Sequence, residues 1–245
     1  MRLTSLCHQV LGECSGKRLS HASDCNAFVV ETSHGPVMFD AGSGYDLDLT
    51  FNALADAGFP NGPRHLFLTH AHADHAGGAG AISRACGTRL HAATLTREWL
   101  LTGDENRTSL AEARKRGVYP VDYKPEIPIA IDLIHSGATI KIGEVVITPI
   151  ASPGHSADHH CYLVSTTAGT VLVAGDAIFA DGKVILQDTW DSSVRETCAS
   201  IRGLSLLTFD ALLPGHGASI LVDAKRPLAA AMERIDRLLP PLNLL

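Results

Sequence analysis

The amino-acid sequence predicts a mixed α/β protein, and three observations carry that expectation. Apolar runs of strand length alternate with stretches in which apolar residues recur three and four positions apart. Glycine and proline fall at the joints between these stretches, where turns and helix ends need them. The 245 residues are 45% hydrophobic and 19% charged, ordinary values for a soluble globular chain that buries a core.

Residues 27–32 and 36–40 read as two short strands joined by a turn through Ser33, His34 and Gly35. Leu47, Phe51, Leu54, Ala55 and Phe59 recur at helical spacing, and Gly58 with Pro60 ends that helix. Residues 65–69 (HLFLT) form a buried-type strand that runs directly into a histidine cluster. Beyond the cluster, residues 80–85 predict a helix stopped at Gly87, and residues 88–92 predict a strand. Helices are expected at 95–101 and 109–116, separated by the polar run 103–107. Residues 118–128 hold three prolines and two tyrosines and read as loop. A strand-rich block follows at 129–134, 139–142, 145–150, 162–165 and 170–173. Helices return at 193–207 and 224–239, around a short strand at 211–213. No low-complexity linker divides the chain, so a single domain over 1–245 is expected, with 103–128 as a candidate lid.

The totals narrow the function classes. A formal net charge of −6 argues against a nucleic-acid partner, and Arg114-Lys115-Arg116 reads as a solvated helix face. No stretch approaches the ~18 apolar residues of a membrane span. Residues 1–23 lack a continuous apolar segment and carry His8, Glu13, Lys17 and Arg18, unlike a signal peptide. Six cysteines are scattered without C-x-x-C spacing, so reduced thiols and a cytoplasmic location are expected.

The chemistry concentrates in Thr69-His70-Ala71-His72-Ala73-Asp74-His75-Ala76-Gly77-Gly78. Three histidines and an aspartate within six positions, at the end of an apolar strand, point to a metal site. The sheet fixes the backbone there while the loop presents the side chains. Imidazole with carboxylate suits zinc, and also iron or manganese. Three later points share the strand-then-turn arrangement: Ser152-Pro153-Gly154-His155, Ala174-Gly175-Asp176 and Leu213-Pro214-Gly215-His216-Gly217. Each alone reads as an ordinary turn; their order along the chain is the specific signal. His8, His21, His34, His65, His91 and His135 show no ligand spacing.

This ordered set, H-x-H-x-D-H followed by P-G-H, G-D and P-G-H-G, resembles the metallo-β-lactamase superfamily. The resemblance runs from Phe39-Asp40-Ala41-Gly42 to His216 and so covers most of the chain. It implies a four-layer αββα sandwich, two similar halves each with a sheet and outer helices. It also implies two metal ions, expected to be zinc, with iron or manganese as alternatives. His70, His72 and His155 would hold the first ion; Asp74, His75 and His216 the second; and Asp176 would bridge them. Asp40 would orient the cluster from behind the ligands, as such sites require. His159, four residues after His155, occupies a place where relatives often carry a second histidine, and a supporting or substrate-contacting role is expected for it.

Two metals about 3.5–4 Å apart can share one hydroxide and activate it near neutral pH. The expected reaction is hydrolysis by that bridging hydroxide, with Asp74 orienting it and passing a proton to the leaving group. Asp176 separates the chain from the true β-lactamases of this fold, which carry Cys or Ser at the bridging place. The ligand set is similar to that of the glyoxalase II and lactonase branch. Phe179 stands where quorum-quenching lactonases carry a tyrosine, and 29 residues follow His216, room for one helix rather than a glutathione-binding domain. The expected substrate is therefore a small ester, lactone, thioester or amide. Candidate pocket residues are Phe179, Trp190, Tyr119, Tyr123 and Trp99. The alternatives are a mononuclear iron persulfide dioxygenase of the same fold using His70, His155 and Asp176, a phosphodiesterase, and a metal sensor without turnover. Oligomeric state is left open.

Overall fold

The computed structural model describes residues 1–244, which divide into two compact units, one of residues 1–134 and one beginning at His135. The first unit is built on a six-stranded sheet with strand order β1-β4-β5-β6-β7-β8. Its strands are β1 (Cys7–Gln9), β4 (Phe28–Val30), β5 (Val37–Phe39), β6 (His65–Phe67), β7 (Arg89–Ala92) and β8 (Asp132–Leu133). A small hairpin of β2 (Glu13–Cys14) and β3 (Lys17–Arg18) stands apart. The pairs β1/β4 and β4/β5 are antiparallel, while β5, β6, β7 and β8 run parallel.

Parallel neighbours need crossover connections, and helices supply them. The helices are α1 (Leu47–Asp56), α2 (Ala73–Ala76), α3 (Ala79–Cys86), α4 (Thr94–Thr102) and α5 (Leu110–Lys115). Asp46 caps α1 by accepting the Leu49 N–H at 3.0 Å, satisfying one of the donors a helix start leaves open. The strand alternation then decides the packing. Val29, Met38, Leu66, Leu90 and Ala92 face one way and meet Leu54, Ala79, Ile82, Leu100 and Leu101 of α1, α3 and α4 in one core. Phe28, Val30, Val37, Phe39 and Phe67 point to the opposite face and are equally buried.

The second unit carries a five-stranded sheet in the order β13-β12-β11-β10-β9. Its strands are β9 (Ile140–Ile142), β10 (Val145–Ala151), β11 (His160–Thr166), β12 (Gly169–Gly175) and β13 (Ala211–Pro214). All pair antiparallel except β12 with β13, which are parallel and joined through α6 (Val194–Ser205). Helix α7 (Arg226–Asp236) follows, with proline in its first turn. Leu172, Ala174, Cys161 and Leu212 pack with Ile201, Leu204, Leu228, Ala231 and Ile235 of the two helices. Each unit thus repeats the same physical solution, a twofold-periodic sheet face closed by amphipathic helices.

The expected elements are found with their ends shifted by a few residues, and the differences have physical causes. The run 129–134 forms only β8, because Ile131 and Ile134 turn into the core while Ile129 is exposed. Strand β1 escaped the hydropathy pattern because its Gln9 is buried by hydrogen bonding. The Gln9 amide donates to Leu11 O, Glu13 O and Asn26 Oδ1 at 2.7–3.1 Å. Residues 118–128 have no regular structure, as expected. Among the described residues no helix is long and apolar enough to cross a membrane.

On the first sheet, His91 stacks on Phe67 at 4.4 Å and its Nε2 lies 2.9 Å from His65 Nδ1. Burial first, and then the neighbouring His65, push the His91 imidazole down to about 4. The folded chain therefore holds His91 neutral in a range where the unfolded chain protonates it. Stability should be fully present above the unfolded value near 6.5 and fall as pH drops from there towards 4, by at most about 1.4 kcal/mol per pH unit from this group. Urea unfolding at pH 7 and pH 5 of the wild type and His91→Gln checks this; an unchanged slope in the variant contradicts it.

Candidate metal centre

In the first unit the chain leaves β6 at Phe67 and enters the ligand loop under tight control. Asp40, just after the parallel neighbour β5, adopts φ +60°, a left-handed backbone uncommon for a residue with a side chain. Its own N–H donates to Phe67 O at 2.9 Å. Its carboxylate accepts the Thr69 N–H at 2.8 Å, the Thr69 hydroxyl at 2.9 Å and His75 Nδ1–H at 2.8 Å. Since the Thr69 hydroxyl donates to Asp40, it accepts from His70 Nδ1 at 2.9 Å. The network thereby assigns both imidazoles the same tautomer, with the proton on Nδ1 and the lone pair on Nε2. That is the form a metal-binding histidine needs.

The rings of His70 and His75 lie 4.2 Å apart, and those of His70 and His72 4.6 Å apart. Asp74, on the short helix α2, sets its Oδ2 3.5 Å from His75 Nε2. That separation is too long for a good hydrogen bond. It matches two donors of one tetrahedral ion, which bonds of 2.0–2.1 Å place about 3.4 Å apart. His70 and His75 are fully buried, while His72 and Asp74 are partly open.

Cys25 is a neighbour that the sequence did not single out; its thiol lies within 4.8 Å of donor atoms of Asp40 and His75. Burial pushes its thiol up to about 12, and Asp40 is already engaged by three donors.

The second unit carries a donor set of its own. Gly154 precedes His155 with φ +142°, and a Cβ there would come within 2.5 Å of the Thr197 backbone nitrogen. Only glycine lets this turn sit against the start of α6, where Gly154 O accepts the Ser193 N–H at 2.8 Å. His155 Nδ1 donates to Ile185 O at 3.2 Å, which again leaves Nε2 with the lone pair. Asp176 follows the parallel-paired end of β12. Its Oδ2 lies 3.6 Å from His155 Nε2 and 3.6 Å from His216 Nε2, equidistant from the two. His159 stands behind them: its Nε2 accepts the Asp176 N–H at 3.0 Å and its Nδ1 donates to Ser152 Oγ at 2.8 Å. With both nitrogens engaged, His159 is a positioning residue for Asp176.

The remaining candidates separate by burial. Phe179 is buried, with its ring 6.3 Å from His216, and Trp190 is half exposed. Tyr119 and Tyr123 are buried and stacked at 4.7 Å, and the Tyr123 hydroxyl donates to Ser43 O at 2.6 Å. Trp99 is buried in the wall of a cavity taken up below. Thr69 was the functional residue missed at the sequence level. Its only sequence signal was its place between an apolar strand and the first histidine.

The family model for the metallo-β-lactamase superfamily matches residues 22–224. Human metallo-β-lactamase domain-containing protein 1 is 26% identical over 234 residues, covering 92% of this chain and 76% of that protein. An atrochrysone carboxyl ACP thioesterase of Cryptosporiopsis is 24% identical over 193 residues, covering 77% of this chain. The chain spans 49% of that thioesterase's length. A subclass B3 metallo-β-lactamase of Bradyrhizobium japonicum superposes with a TM-score of 0.67, at 19% identity and 87% coverage of both chains. Similarity at that identity establishes a shared fold.

Asp40→Asn replaces an acceptor for three donors with an amide that can satisfy at most two. Metal affinity, measured by competition with a chromogenic chelator, should weaken by about 10–100-fold. Unchanged affinity would show that Asp40 does not set the histidine tautomers.

Proposed function

Because the chain belongs to the metallo-β-lactamase superfamily of hydrolases, we propose that it is a dinuclear metal hydrolase acting on small thioesters and esters. Lactones and amides are chemically allied substrates. His70, His72 and His155 would hold one ion, Asp74, His75 and His216 the other, and Asp176 would be shared. The observation that carries the reading is the Asp176 oxygen at equal distance from His155 Nε2 and His216 Nε2. A carboxylate so placed suits a bridging role between two ions.

Two divalent ions, zinc being the best match to a histidine and carboxylate set, supply an activated water and polarise the substrate carbonyl when bound. The chain's own part is to fix its donors beforehand. Asp40 and Thr69 hold His70 and His75 in the metal-binding tautomer, Ile185 does so for His155, and His159 holds the backbone of Asp176. Preset ligands of this kind avoid reorganisation during reaction. Asp74, partly open to solvent, is placed to hand a proton to a departing alkoxide. A departing thiolate, being far less basic, needs that proton less. Support for thioesters among the possible substrates comes from the thioesterase relative, and the carboxylate at position 176 speaks against antibiotic hydrolysis. The six cysteines are all free thiols, which suits the reducing cytoplasm.

Asp176→Ala tests the reading. Metal analysis should give about two ions per wild-type chain and fewer in the variant. Hydrolysis of a panel of acyl thioesters and aryl esters should fall by at least about a hundredfold. Full turnover in a metal-depleted variant would contradict the proposal. One iron per chain with oxygen-dependent turnover would replace it by the dioxygenase chemistry.

A further inference from the structure

Within the first unit a cavity of about 150 Å³ lies behind the metal-binding loop. Ala71, Ala73, Ala76 and Gly77, the small residues interleaved with the ligands, form one wall, and Trp99, Leu100 and Leu110 form another. Ala71, Ala73 and Ala76 put little side-chain bulk beside this volume. Its mouth is made by Glu105 and by residues 124–128, where Lys124, Glu126 and Ile127 are exposed. Ile127 leans over Gly103 at the end of α4, where a Cβ would come within 2.7 Å of the Ile127 Cδ1.

The chemistry of walls and mouth differs. The walls are mostly apolar, with Thr108 the buried polar side chain among them, so water inside finds few of the two to four polar partners that hold it in place. A cavity of about this volume accommodates one benzene ring. At the mouth both carboxylates are already neutralised. Glu105 is gripped by Arg114 at 2.6 and 3.0 Å, and Glu126 by Arg84 at 2.7 and 2.9 Å. Lys124 makes no close ion pair among the described residues, although its charge also acts on the Glu105 carboxyl.

We propose that this cavity is a binding site for a compact aromatic carboxylate, with the ring between the alanine wall and Trp99 and the carboxylate at Lys124. A benzoate-sized anion matches each feature: ring volume, mostly apolar walls and the Lys124 charge at the entrance. The site is separate from the metal ligands and does not depend on the hydrolase reading. It borders the metal loop through Ala71 and Ala73, whose backbone carries His70, His72 and Asp74.

The protein has two tryptophans, so Trp190→Phe leaves Trp99 as the sole reporter of the cavity. Titration of the purified full chain with benzoate and, separately, with toluene should change Trp99 emission saturably. Lys124→Gln should weaken benzoate by about two- to fivefold and leave toluene unchanged, since the charge is solvent-exposed. Leu110→Phe and Ile127→Phe, which fill the cavity from its wall and its mouth, should weaken both probes at least about tenfold. Circular dichroism establishes that each variant folds; should Leu110→Phe unfold, the exposed Ile127→Phe decides. Absence of saturable emission change overturns the proposal. So does benzoate binding that ignores Lys124, as binding at the metal ions would, or probe binding that survives a folded filling variant.

Discussion

The carboxylate of Asp40 is the contact on which the metal-binding end of residues 1–134 depends. It is buried, it sits on a left-handed backbone, and it meets three donors. A residue in that conformation costs on the order of 1 kcal/mol or more unless its surroundings hold it there. Here they do. One pair of oxygens ties the end of β5 to the residue after β6 and sets His75 directly and His70 through Thr69. The backbone strain and the histidine tautomers are therefore one feature, because the φ +60° turn is what aims the carboxylate across the two strand ends.

The second unit reaches an equivalent result with different parts. Behind His155 a backbone carbonyl, Ile185 O, accepts the Nδ1–H. Asp176 is held through its main chain by His159, whose other nitrogen is committed to Ser152. The glycine at 154 is the steric counterpart of Asp40's turn, since it lets the loop lie against α6. In both units a rigid sheet end supplies position and a hydrogen-bonded partner supplies orientation. That division suits the position of the proposed ligands, which follow strands β6, β10, β12 and β13 and not one of which sits mid-strand.

Much of this was legible in the sequence, for identifiable reasons. His70 to His75 stood out because four donors occupy six consecutive positions after an apolar strand. His155, Asp176 and His216 emerged only through their order, since each alone is an ordinary turn. Asp40, placed after a strand, reads nearly as well as a turn-stabilising residue, and only the family resemblance pointed to its orienting role. Thr69 and the mode of action of His159 were not, because their partners lie 29 and 17 positions away. Gln9 shows the same limit in the fold. Hydropathy treats a buried glutamine as surface, and only its three hydrogen bonds reveal why it is inside. The room beside the alanines at 71, 73 and 76 could not be seen in the sequence, because Trp99 and Leu110, which also line it, lie far along the chain.

The central claim is that these fixed donors hold two ions which share Asp176. A crystal structure of the purified protein, with anomalous scattering recorded at the zinc edge, tests it most directly. The account predicts two anomalous peaks per chain, each about 2.0–2.2 Å from an Asp176 oxygen. One of these ions should meet His155 Nε2 and the other His216 Nε2. A single peak, or two peaks of which only one touches Asp176, would contradict it.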